Sequence, residues 1–196
     1  GVALSEFETF LAETNCLKSK LKEKLNMRKN NKVLFITQSA LIAALYVVLT
    51  YAANMLGLAS GVIQIRISEV LTLLPYFTPA AVPGLFIGCL TANLTTGAAV
   101  WDVIFGSLAT LIGAAGTYLL RNKSIWFAPL PPIAANTLIV PMILSKVYGA
   151  SETIPYLMLT VGIGELISCG ILGMMFMLAV KKKENNINWA EFNIKK

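Results

Sequence analysis

The chain has 196 residues, 56% of them hydrophobic and 13% charged, with a net charge of +6 and a mean hydropathy of +0.70; soluble domains carry about 25% charged residues. Histidine is absent, which excludes imidazole-based triads and histidine-ligated metals. No G-x-x-x-x-G-K-[ST] phosphate loop occurs, so uphill movement of a solute would draw on an ion gradient or on ATP hydrolysed by another chain.

With about 20 apolar residues needed per membrane span, the length leaves room for roughly six spans. The expected fold is an all-α integral membrane protein with six transmembrane helices in one bundle. In residues 1–26, Leu4, Phe7, Phe10, Leu11, Leu17, Leu21 and Leu25 recur at helical spacing opposite Glu8, Lys18, Lys22 and Lys24, a pattern suited to a helix lying on a membrane surface. Met27 and the basic run after it read as a natural start of a bacterial membrane protein. Residues 1–26 are therefore expected to be a dispensable extension, amphipathic or added upstream, followed by a membrane domain over 27–183 and a cytoplasmic tail over 184–196.

The spans are expected at about Val33–Leu56, Val62–Thr78, Val82–Thr95, Trp101–Leu120, Leu130–Lys146 and Pro155–Val180. The second is short and cut by Pro75 and Pro79, and short proline-interrupted segments beside charges often mark a transporter's binding region. Lysine and arginine accumulate on cytoplasmic loops. With both termini inside, fourteen of the sixteen basic residues fall on the cytoplasmic side, all but Arg66 and Lys146. The positive charge is thereby explained by membrane flanks, with no need for nucleic acid. Cys16, Cys89 and Cys169 lack C-x-x-C spacing, and the two within spans are read as packing residues.

Arg66, Glu69, Asp102 and Glu165 stand in or beside these greasy segments. A charge at the centre of a membrane helix costs about 2.5 to 3.5 kcal/mol even on the mildest scale, so they are the candidate binding residues, with Asn93 near the outer end of the third span. Glu165 lies about ten residues into the sixth span, roughly 15 Å deep. All fall in the outward half of the bilayer, which suggests a pocket open outside and closed below. Arg66 and Glu69, three residues apart, share a helix face on which they can neutralise each other. Asp102 alone fits an exposed first-turn carboxylate favoured by the helix dipole. Trp101 sits at an interface position, where anchoring is the default and stacking on a flat ligand the alternative. Ala40 and Ala44, with Ser39 and Ala43 beside them, form a small-residue face for bundle packing or a partner, and Gly84 with Gly88 forms another.

The runs Ile65-Arg66-Ile67-Ser68-Glu69, Leu74 to Gly88, Asp102 to Thr110, Pro129-Leu130-Pro131-Pro132 and Val161-Gly162-Ile163-Gly164-Glu165 together resemble the QueT family, the substrate-capture (S) components of energy-coupling factor (ECF) transporters, over about Met27 to Lys183. That resemblance implies an ECF S-component-like bundle in the bacterial cell membrane. It implies capture from outside of a 7-deazaguanine queuosine precursor (preQ1, preQ0 or queuine), and partnership with a transmembrane coupling protein and two cytoplasmic ATPases docked through Ala40 and Ala44. A membrane enzyme using Glu69 and Glu165 as acid and base is the rival from another class; no enzyme activity is expected, because neither carboxyl has an evident nucleophile or metal partner, and no cofactor or metal is expected. On this reading Glu165 and Asp102 pair with ligand donors, Arg66 or Asn93 reaches a carbonyl oxygen, and Glu69 orients Arg66. Uptake of another small vitamin or purine, and stand-alone facilitation of the same solutes, are the alternatives.

Overall fold

The computed structural model describes residues 30–58, 64–146 and 153–184. The extension assigned to 1–26, the first residues of the membrane domain and the tail beyond residue 184 lie outside the described residues. The chain divides into two compact units, Gly1–Ile36 and Thr37–Lys196. Of the first, residues 30–36 are described and are helical; all packing below concerns the second.

Six helices follow one another, and no strand occurs among the described residues. They are α1 (Asn30–Met55), α2 (Ile67–Tyr76), α3 (Ala81–Thr95), α4 (Val100–Leu119), α5 (Leu130–Lys146) and α6, which runs from Ile154 to Glu184. Helices α1, α4, α5 and α6 are long and apolar enough to cross a membrane, and α2 and α3 are shorter. The six expected segments are therefore present, two of them too short to match the others.

Helix α2 is a 3-10 helix containing Pro75. At about 2.0 Å rise per residue its ten residues reach about 20 Å, where an α-helix would reach about 15 Å. Ser68, Glu69, Leu71, Thr72, Leu73 and Pro75 are buried, and α2 packs against α3, α4 and α6. It is a central post inside the bundle. At its lower end the Tyr76 hydroxyl donates to the Lys123 carbonyl at 2.9 Å.

Glycine brings the other helices close. A Cβ on Gly84 would lie 2.7 Å from the Ser39 carbonyl oxygen, and one on Gly88 would lie 3.0 Å from the Ala43 backbone. The Ser39 hydroxyl donates to the Ala80 carbonyl at 2.8 Å across the same contact. Because the obstacle is backbone, Gly84→Ala is expected to destabilise the protein by about 1–3 kcal/mol, read as a lowered unfolding temperature in detergent. Gly113 packs in the same way on Pro132, and Gly116 on Pro131, holding α4 to α5. Ala40 and Ala44, one position round from Ser39 and Ala43, face outward and are exposed.

Helix α6 changes pitch in mid-course. The α-helical stretch Ile154–Glu165 passes into a π-helical stretch, Leu166–Gly173, before α-helix resumes at Met174. Such widened turns are rare and frequent at functional sites. This one starts immediately after Glu165.

Candidate functional site

Three helices each carry one polar side chain into a common centre. Glu69 from α2 is fully buried, Asn136 from α5 is 3% exposed and Glu165 from α6 is 6% exposed. The Asn136 amide nitrogen donates to Glu165 Oε1 at 3.0 Å and, more weakly, to Glu69 Oε2 at 3.4 Å. Tyr46 of α1 donates its hydroxyl to Glu69 Oε1 at 2.6 Å. The Cys169 thiol lies one turn beyond Glu165 and donates to Glu165 Oε2 at 3.3 Å. Buried polar groups persist only when hydrogen-bonded, and this network meets that demand for both carboxyls.

Above this centre lies a cavity of ≈ 100 Å³ lined by Tyr46, Thr50, Arg66, Ser68, Asn93 and Asp102 among others. A smaller recess of ≈ 10 Å³, bordered by Gln64, Arg66, Val140, Val161 and Glu165, adjoins it. Arg66 and Gln64 line both hollows, so Arg66 stands between the Asp102 side and the Glu165 side. Its positive charge interacts with those of Asp102 and Glu69. Gly164 makes the arrangement possible, because a Cβ there would collide with the Gln64 carbonyl oxygen. The backbone leading into Arg66 thus lies directly on α6.

The turn from α3 to α4 sets the far wall. Gly97 takes φ +75°, a left-handed conformation that glycine adopts without a Cβ penalty, and the Ala98 N–H closes onto the Asn93 carbonyl at 3.0 Å. Asn93 and Asp102 are each 8% exposed, and the Asn93 amide reaches the Asp102 carbonyl at 3.5 Å. A Cβ on Gly106 would meet Asp102 Oδ1 at 3.1 Å and Asn93 Nδ2 at 3.3 Å, so the absent side chain leaves room for both. Asp102 is therefore turned into the bundle, where the sequence also allowed an exposed first-turn carboxylate.

Of the six residues singled out from sequence, Arg66, Glu69, Asn93, Asp102 and Glu165 border these hollows or their floor. Trp101 does not join them. It is 56% exposed, stacks on Phe105 with ring centroids 5.9 Å apart and lines a separate apolar groove. Successive helical residues point about 100° apart, so turning Asp102 inward turns Trp101 out. Glu69 takes hydrogen bonds from Tyr46 and Asn136, which makes it part of the floor. Cys169, expected as packing, is a hydrogen-bonding member of the centre. Sequence reasoning singles out neither Tyr46 nor Asn136. A tyrosine in mid-span, away from the interfaces where such rings gather, and a lone amide in the middle of α5 are the signals that could find them.

Among the described residues, Glu69, Glu165 and Cys169 bring one oxygen or sulfur donor each to within 4.8 Å of one another. These same atoms are already engaged with Tyr46, Asn136 and each other. Chemically the assembly is an acceptor-rich floor with a guanidinium at its edge and an amide and carboxylate opposite. It suits a flat polar guest offering several N–H donors and at least one acceptor.

Comparison with known proteins places this geometry in context. The sequence model described as the QueT transporter matches residues 36–182. A protein of Lactococcus lactis subsp. cremoris (strain MG1363) named "Queuosine precursor transporter QueT" is 37% identical over 84 residues, covering 43% of this chain and 49% of that protein. The matched stretch thus spans about half the length of that relative. No solved structure matches. With the family pattern running from α1 into the last turns of α6, this multi-pass helical membrane chain belongs to the QueT transporter family.

Proposed function

We propose that this chain is the substrate-capture component of an ECF-type importer and that its polar hollow binds a 7-deazaguanine queuosine precursor such as preQ1, preQ0 or queuine. The observation that carries the reading is the buried Glu69–Asn136–Glu165 centre beneath Arg66, inside a membrane bundle. A guanine-type ring presents a ring N–H beside an amino group, two adjacent donors that one carboxylate accepts together. Glu165 supplies that carboxylate, Arg66 or Asn93 meets the ring carbonyl, and Asp102 pairs with the aminomethyl cation of preQ1. A cavity of ≈ 100 Å³ is smaller than the roughly 300–1,000 Å³ of ligand pockets. Binding therefore moves Arg66 aside and joins the two hollows.

Isothermal titration of the purified protein with preQ1, preQ0, queuine and guanine tests this directly. Tight binding of at least one 7-deazaguanine supports the assignment, and heat from none of the four rejects it.

Delivery rests on partners, a transmembrane coupling protein and two cytoplasmic ATPases, with both termini of this chain in the cytoplasm. The exposed Ala40 and Ala44 row on α1 is the proposed docking face, since small residues let another helix approach closely. Ala44→Trp is expected to leave ligand affinity unchanged and to lower ATP-driven uptake in reconstituted vesicles on the order of ten-fold. Equal uptake by the variant would remove this face from docking, and uptake without any ATPase would point to a facilitator.

A further inference from the structure

About a quarter turn round α4 from Asp102, an apolar groove of ≈ 670 Å³ runs between α4 and α5. Trp101, Phe105 and Ile112 form one wall, and Ile139, Met142 and Lys146 the other. Its shape follows from the packing described above. The helices touch where Gly113 and Gly116 meet Pro132 and Pro131, and the groove opens from there toward Trp101 and Lys146. From Trp101 to Ile112 is eleven residues, about 16 Å of helix, or about half of a 30 Å hydrocarbon core.

We propose that this groove is a binding site for a single anionic phospholipid, with one acyl chain along the α4–α5 crevice and the head-group phosphate on Lys146. Three observations select this occupant. The groove is one leaflet deep, which fits a lipid tail, whereas a partner helix would cross both leaflets. Its lining is hydrocarbon or aromatic except at the wide end, where an exposed ammonium and an indole both line it, residue types that gather at the level of lipid head groups. Among the described residues no carboxylate lines the groove, and Asp102, the carboxylate on α4, is buried beside Asn93, so Lys146 is the charged group that the groove presents to an anion. The proposal is independent of the solute reading, because it uses none of the residues in the polar hollow.

The test is native mass spectrometry of protein released from nanodiscs containing equal parts of phosphatidylglycerol and phosphatidylcholine. Wild type is expected to retain one lipid, with phosphatidylglycerol enriched. Lys146→Gln, at an exposed position, is expected to lower that enrichment about five-fold while leaving the unfolding temperature unchanged. Leu108→Trp, at a position on the α4 wall of the groove that a larger ring would narrow, is expected to reduce retention of both lipids. Equal retention of the two lipids by wild type, unaltered enrichment in Lys146→Gln, or a dimer mass in place of a lipid adduct would overturn the proposal.

Discussion

Glu165→Gln is expected to weaken ligand binding by roughly 10- to 150-fold, the range that corresponds to a charge-assisted hydrogen bond of about 1.5–3 kcal/mol, while the protein remains folded. The surroundings of the side chain explain why affinity and stability separate here. Glu165 Oε1 accepts from Asn136 and Oε2 from the Cys169 thiol. A glutamine keeps its carbonyl toward Asn136 and turns its amide toward sulfur, which is a weak acceptor. It also adds no charge beside buried Glu69, so each polar group of the unliganded core keeps a partner. Glu69→Gln should behave in the opposite way. Both of its oxygens accept hydrogen bonds, from Tyr46 on one and Asn136 on the other, so an amide there gives up the short bond from the Tyr46 hydroxyl and leaves that buried O–H without its acceptor. Isothermal titration beside thermal unfolding distinguishes the two variants. A Glu165→Gln protein that binds as tightly as wild type would take Glu165 out of the site, whatever happens to Glu69→Gln.

Much of this contrast is legible in the sequence only by half. Charges in greasy segments stand out because lipid penalises them, so Arg66, Glu69, Asp102 and Glu165 are found without a structure. Their division of labour is not. It depends on Tyr46 and Asn136, whose side chains combine a largely apolar or short body with one polar tip and so hardly disturb the hydropathy of α1 and α5. The close approach of α1 to α3 is readable from Gly84 and Gly88, since small residues at four-residue spacing are a packing signature in membranes. The rotational setting of α4 is readable too, because Asp102, Gly106, Ala109 and Gly113 trace one stripe and place Trp101, Phe105, Leu108 and Ile112 on the next. Treating Trp101 as a neighbour of Asp102 in space follows chain adjacency where helical phase decides. The 3-10 form of α2 and the π-helical turn after Glu165 leave no trace in residue type. Both arise from how the chain must fit between helices already in place, a tertiary constraint that overrides local preference.

Asn136 is where that constraint is most exposed to test. Its amide is the shared donor between two buried carboxyls on different helices, and it ties α5 to both α2 and α6. Asn136→Leu keeps the volume approximately and deletes the donor, leaving Glu69 Oε2 and Glu165 Oε1 facing each other across an apolar gap. Each buried acceptor so stranded costs about 1–3 kcal/mol, so a loss of roughly 2–6 kcal/mol is expected, larger than that of any surface change in this protein. Asn136→Asp discriminates between packing and hydrogen bonding, because the shape is retained and only the donor changes. An ionised aspartate sets a further negative charge beside two buried carboxyl groups, whereas a protonated one again offers an O–H to a neighbouring carboxyl oxygen. The Asp variant is therefore expected to unfold more readily than wild type at neutral pH and to recover part of the difference as the pH is lowered, since acid restores the missing donor. Asn136→Leu leaves the two glutamates to supply the proton themselves, so it is also expected to regain some stability in acid; the loss at neutral pH is what reads the missing amide. Unfolding temperatures of the three proteins in one detergent, at neutral and mildly acidic pH, provide the comparison. If Asn136→Leu proves as stable as wild type at neutral pH, or if Asn136→Asp gains no stability in acid, the amide is not what holds the two carboxyls together.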